Sequence, residues 1–340
     1  MEYFVIGRNG IPLVYNGNMM GNIMFQQGLR FRFEDNSYDP TTVTSWTTLD
    51  GETRSWLDGS SWVKVQGTEE NIWDWYYSDP NVDYAFDCAF MDSDNEVQVI
   101  AGNTADINHM DALFRGCRSL TSVCWLDTSS VTHMNSMFYG CRSLESVPAF
   151  NTSNVTGMFG MFYECREITT IPQFDTHNVT NMRWMFEGCW NLETVPLLDT
   201  GNVTRMDQMF HECHSLQSVP AFDTNKVYNM WGMLWGCSSI TTVPLFDTHN
   251  VQYMNYMLCD CTSLTRIPLF ATEKVTRIEN MCENCVNVEG GALALYQQAS
   301  SQEYPPSYHT DTFKNCGSNT ASGRAELLGI PQDWGGGTYV

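Results

Sequence analysis

No run of about 18 apolar residues occurs anywhere in the 340-residue sequence, so no segment is expected to cross a bilayer as a helix. Basic residues are scarce. Seventeen Lys and Arg stand against 39 Asp and Glu, a formal net charge of −22, and no basic run is long enough to form a phosphate-neutralising stripe. Nucleic acids and anionic membranes are held largely through Lys and Arg, so neither is expected as a partner. The opening residues 1–10 have no basic start followed by a long apolar stretch and no small-residue cleavage site, so a secretion signal is not expected there. An enzyme's constellation is missing too. No nucleophile–base pair, phosphate loop or paired-carboxylate motif stands outside the repeat described below, so no catalytic residue, bound metal or cofactor is expected.

What is present is apolar and periodic. Hydrophobic residues make up 43% and aromatic residues 13% of the chain, enough to bury a large core. Of 13 cysteines, Cys117, Cys141, Cys165, Cys189, Cys213, Cys237, Cys261 and Cys285 stand 24 residues apart. Aligning on them brings the other large apolar positions into register, and so strict a period takes precedence over any local reading.

Each unit carries Val, Met, Met-Phe and Cys at fixed offsets, as in Val131, Met134, Met137, Phe138 and Cys141. These offsets place one apolar stripe on a short helical segment. A Leu-x-x-Val-Pro stretch follows, as in Leu144, Val147 and Pro148, which fits a short strand stopped by its proline. An inward Phe or Leu comes next (Phe150, Phe174, Leu198, Phe222), then an Asp-Thr pair such as Asp175-Thr176, suited to turning the chain and capping the next helical segment. One unit buries about six large apolar side chains, worth roughly 1.5–3 kcal/mol each. Ordering costs about 1.5 kcal/mol per residue, so stability requires stacking.

These residues resemble a known family. The pattern C-x-S-L-T-x-V-P-x-F-D-T-x-N-V-T-x-M-x-x-M-F is similar to the BspA-type leucine-rich repeats of bacterial surface proteins, over about two-thirds of the chain. The segments 291–299, 313–317 and 330–334 resemble the way such arrays end. The opening, Val5 to Leu13 with Tyr15-Asn16-Gly17, is similar to signal-less members encoded by gut bacteriophages. The resemblance implies adhesion or host recognition and supplies no catalytic residue.

The expected fold is thus an α/β repeat: a right-handed leucine-rich-repeat solenoid of 24-residue coils with a small N-terminal β-domain. Residues 1–70 lack the period, hold Asn-Gly at 9–10 and 16–17, and alternate in polarity over 23–33 and 62–65, which reads as a β attachment domain. Residues 71–108 carry a degraded repeat phase at Phe90, Val99, Thr104, Ile107 and Met110 and read as a capping coil. The solenoid proper is expected over 109–290, with an irregular last coil and a C-terminal cap over 291–340.

Several motifs have plain readings inside the repeat. The ladder cysteines point the same way, so buried free thiols are expected in preference to disulfides. Cys282-x-x-Cys285 and Cys259-x-Cys261 coincide with core positions and lack a second ligand pair for zinc. His211-x-x-His214 occupies variable surface positions, and the Asn154, Asn178 and Asn202 sequons are repeat consensus. The Met stripe coincides with the Val and Phe positions and reads as core.

More informative are large aromatics where the repeat dictates no residue: Tyr139, Phe159, Tyr163, Trp184, Trp190, Tyr228, Trp231, Trp235, Tyr253 and Tyr256. Equal phase in adjacent coils makes them neighbours. Either they form an interaction patch for a protein or a glycan, or they cover the grooves between coils. The strand face offers mostly Ser, Thr and Glu. The expected function is a non-enzymatic binding or structural protein. The first reading is a phage virion protein, a tail or head fibre, displaying the solenoid to a host surface. Residues 1–70 would join it to other virion proteins, and self-association is left open. The alternative is a bacterial cell-surface adhesin exported by another route.

Overall fold

The computed structural model describes residues 5–6, 12–13, 28–47, 53–56, 60–65, 70–76, 85 and 96–337. The Asn-Gly pairs, residues 23–27 and Phe90, which entered the expectations above, lie outside the described residues.

Short strands β1 (Val5–Ile6) and β2 (Pro12–Leu13) pair antiparallel, as do β4 (Trp46–Thr47) and β5 (Thr53–Arg54). The main N-terminal sheet is built from β3 (Gly28–Phe33), β6 (Ser61–Lys64), β7 (Asn71–Tyr76), β8 (Val97–Asn103) and β9 (Leu120–Val123) in the order β6-β7-β3-β8-β9. Strand β3 alternates as the period-2 pattern requires, with Leu29, Phe31 and Phe33 buried beside Trp73, Trp75, Val97 and Val99. It pairs antiparallel with β7 on one side and β8 on the other, so the sheet runs across residue 70 and into the repeats. Strand β9 then adds in parallel to β8. One hydrophobic cluster extends from Leu29 to Trp334.

From residue 104 onward, residues 24 apart stand side by side. A line of parallel bridges runs His109–His133–Gly157–Asn181–Arg205–Asn229–Tyr253–Arg277, ending on Tyr308. Phe114, Phe138, Phe162, Phe186 and Phe210 stack in file with ring centroids 5.4–5.7 Å apart. The Val, Met, Cys and Leu columns are buried alongside them.

The segment expected to be helical is a chain of tight turns. Among the described residues the repeats contain no α-helix. In the segment 110–117, Leu113, Arg115 and Cys117 donate their N–H to the carbonyl three residues back. The alternate N–H groups of Met110, Ala112, Phe114 and Gly116 donate instead to His133, Asn135, Met137 and Tyr139 of the next repeat. Two positions per repeat hold a left-handed backbone, five residues and one residue before the cysteine: Ser136 and Gly140, Gly160 and Glu164, Trp184 and Gly188. Spacings of three, four and seven residues are common to a helix and to this run of turns. The left-handed positions tip the balance, because they turn every second N–H out of the local ladder and toward the neighbouring repeat.

The expected parallel sheet is likewise reduced. Beyond β9, strand-face pairing is limited to single bridges such as Ser122–Ser146 and Arg266–Gly290, with bonds in several repeats of the type Glu193 N–H to Thr169 O, 2.9 Å. Each Leu-x-x-Val stretch is short and closes on a proline, which has no N–H to give.

The Asp-Thr pair does turn the chain. Asp127, Asp175, Asp199, Asp223 and Asp247 accept the N–H two residues on through Oδ1. The buried threonines Thr104, Thr128, Thr176, Thr200, Thr224 and Thr248 donate from Oγ1 to a carbonyl of the next repeat, each at 2.8 Å. Asn154, Asn178 and Asn202 of the sequons reach back to the previous repeat from Nδ2. At the far end, α1 (Ala292–Ser300) and α2 (Ala321–Leu327) close the stack, and Trp334 packs on His309, Tyr296 and Phe313. Gly291 (φ +105°) sits where a Cβ would fall 2.2 Å from the Ile267 carbonyl oxygen, so only glycine fits.

Candidate binding face

The twelve described cysteines are all free thiols, eleven buried and Cys124 half-buried. Each column thiol from Cys141 to Cys285 donates to the Phe or Leu carbonyl 27 residues back, at 2.9–3.2 Å. Burial pushes the column thiols from Cys165 to Cys285 above the ordinary range, so they are packing and hydrogen-bonding groups. Cys282 is buried in the Phe column. Among the described residues no group of three or more His, Cys, Asp or Glu is placed to hold a metal.

The aromatic residues singled out from the sequence lie along the turn run and separate into groups. Tyr139 and Tyr163 stack at 4.1 Å, nearly coplanar, and Trp184 lies 6.2 Å from Tyr163 and 5.1 Å from Phe159. The Arg183 guanidinium covers the Trp184 ring at 3.9 Å, a cation–π contact. A second group joins Trp235 to Tyr256 at 4.9 Å and to His211 at 4.6 Å. Its members are anchored by Trp235 Nε1–H to Asp260 Oδ2, 3.0 Å, and by His211 Nδ1 beside Glu187 Oε1, 3.1 Å. Trp190 stands on another column, under Arg166 at 3.8 Å and 6.1 Å from the His214 ring. Tyr228, Trp231 and Tyr253 lie on other columns, Tyr228 exposed and the other two half-buried. His211 and His214 fall on different columns and take different partners.

Trp184 (φ +60°) and Tyr256 (φ +59°) occupy the left-handed position that Gly160 and Gly232 fill in two repeats and Ala112, Ser136, Gln208 and Asn280 in four others. A bulky side chain there costs roughly 1–2 kcal/mol.

Sequence reasoning missed three features. Asp207, fully buried, is gripped by Arg183 of the preceding repeat (2.8 Å) and by Arg205 of its own (2.8 Å). The column eight residues after the cysteine exposes Trp125, Leu197, Leu245 and Leu269, the last two beside a shallow cleft of about 400 Å³ at the C-terminal end. The column one residue after the cysteine reads Arg118, Arg142, Arg166, Trp190, His214. Reading the variable columns downward, as was done for the core columns, is the signal that exposes the last two.

A stack of 24-residue units with shared ladders defines the class as a repeat protein. The chain belongs to the family described as "Mycoplasma protein of unknown function, DUF285", whose model matches residues 83–197 and 189–293. That match supports the expected kinship with BspA-type leucine-rich repeats, and such a repeat protein suits a binding or structural role. No curated protein matches the chain. Among solved structures it is similar to the leucine rich repeat protein of T. pallidum (TpLRR), at 18% identity and TM-score 0.37 over 59% of this chain and 80% of that one. It is also similar to TLR13 in its complex with ssRNA13, at 10% identity and TM-score 0.22, over 64% of this chain and 45% of that one. No described helix is long and apolar enough to cross a membrane.

Proposed function

We propose that this chain is a non-enzymatic recognition protein, a right-handed leucine-rich-repeat solenoid of 24-residue coils carried on a phage virion and displayed to a host surface. The observation that carries the reading is the turn face itself. Large aromatics, half-buried except for the exposed Trp190 and Tyr228, cluster on a scaffold whose core and ladders do not require them. Partly exposed Trp and Tyr beside Arg are the side chains that dominate interfaces. Residues 1–70 would join the solenoid to other virion proteins.

Replacing Trp184, Trp231 and Trp235 by Ala should weaken attachment to host cells at least tenfold, with the circular dichroism spectrum unchanged. Unaltered attachment would move the site off this face. Mass spectrometry of purified particles should find the chain. Its absence there, together with its release from intact bacteria by surface proteolysis, would favour a cell-surface adhesin exported by another route.

A further inference from the structure

Four of the chain's 17 basic residues, Arg115, Arg118, Arg142 and Arg166, fall within the three repeats that end at residue 166. Arg118, Arg142 and Arg166 share one column, so they stand side by side about 4.8 Å apart per repeat. Three guanidinium groups in file repel one another unless anions lie between them. Glu164 supplies one: its Oε2 takes Arg142 Nε and Nη2 at 3.1 and 2.7 Å, and its Oε1 takes Arg166 Nη2 at 3.2 Å. Arg142 and Arg166 are thereby oriented, and Arg166 is further spread over Trp190. No side chain among the described residues pairs with the Arg118 guanidinium.

Beside this column is a hollow of about 190 Å³ lined by Arg118, Tyr139, Gly140, Arg142, Tyr163 and Glu164. It is open because Gly140 (φ +74°) presents no side chain where other repeats place Glu212, Asp260 or Asn284. The Tyr139 and Tyr163 rings stack at 4.1 Å, nearly coplanar, and both line the hollow, where a phenolic hydroxyl can donate or accept. Of the nearby acids, Glu164 is engaged by two arginines, while Glu187 meets His211 through Oε1 alone. In a chain of net charge −22 this is a recess that brings two guanidinium groups together with two phenolic hydroxyls and ring edges.

Resting on the recognition role above, we propose that the hollow binds the carboxylate of an acidic sugar, a sialic or uronic acid at the end of a surface glycan. Arg118 and the remaining Arg142 nitrogen take the carboxylate, the Tyr hydroxyl donates to it or to a ring oxygen, and the sugar lies over Gly140. The volume is below the roughly 300–1,000 Å³ of a drug-sized pocket and suits a single pyranose. An extended polyanion would meet the whole protein's negative field, whereas one carboxylate meets only the local arginines.

The test is titration of the full chain with 3′-sialyllactose and with trigalacturonate, followed by calorimetry, against lactose and the sialyllactose methyl ester. Saturable binding of one acidic probe, with none of lactose or the ester, is expected, and the probe that binds tells sialic from uronic acid. Arg118→Gln and Tyr139→Phe should each weaken it at least tenfold without changing the melting curve. Binding of neither acidic probe, equal binding of the ester, indifference to Arg118→Gln, or tighter binding of an oligothymidylate overturns the proposal. If the acidic probes fail while the chain still attaches to host cells through the tryptophans, the hollow is refuted and the recognition role stands. If attachment is absent as well, both fall.

Discussion

At the scale of the residue, cysteine shows how a side chain can be dictated by its neighbours' backbone. The Phe162 carbonyl accepts both the Cys165 N–H in its own repeat and the Cys189 thiol from the next. A residue at this position must be small, apolar and still able to give one weak hydrogen bond, which describes a thiol. Cys189→Ala should therefore lower stability by about 1–2 kcal/mol, the sum of lost packing and one weak bond, seen as a lower urea midpoint. Because they are shut away from solvent, the eleven buried thiols should resist iodoacetamide at pH 8 and react once guanidinium chloride unfolds the chain. Rapid labelling of the folded protein at Cys165, Cys189 or Cys213 would contradict the stacked core.

At the scale of the element, the unit is a turn and not a helix. Each Asp-Thr turn uses one side chain outward and one inward: the Asp carboxylate closes the turn, and the Thr hydroxyl ties the next repeat. Some turns carry an added clip. His249 Nδ1 lies 2.8 Å from Asp247 Oδ1, and this bond raises the histidine's pKa and lowers the aspartate's. The signs define a window. The histidine's contribution is complete below its ordinary value of 6.5 and is lost as pH rises through the raised one. The aspartate's contribution is complete above its ordinary 3.8 and is lost as pH falls through the depressed one. The clip is thus fully made in mildly acidic solution, and since both groups are exposed its effect on global stability is small. NMR titration of His249 should give a midpoint above 6.5 that falls in Asp247→Asn. A midpoint indifferent to that change would remove the pair.

At the scale of the whole molecule, stability is shared between neighbours along the stack. The N-terminal sheet shields one end through β8 and β9, and α1, α2 and Trp334 shield the other. Deleting residues 190–213, one full period, joins Cys189 to His214 and leaves every column in register. That variant should fold and melt cooperatively. Deleting residues 190–201 sets the polar Thr204 and Asp207 on the Leu192 and Val195 columns and should abolish cooperative unfolding in circular dichroism. Equal behaviour of the two variants would deny that the period governs the packing.

The sequence by itself determined the period, the inward columns of Val, Met, Phe, Cys, Leu and Thr, and the places where the chain turns. Repetition makes each of these visible many times over, and burial of apolar side chains follows from composition. The variable aromatics were legible as candidates for the same reason, because they stand where the pattern requires nothing. Only the tertiary structure decided that Met-x-x-Met-Phe-x-x-Cys is a run of turns, since helix and turns share its spacing and the choice rests on N–H groups finding carbonyls in the next repeat. It alone also set Arg183 on Asp207 and opened the recess beside Gly140. Residues one period apart are distant along the chain, and only stacking brings them into contact.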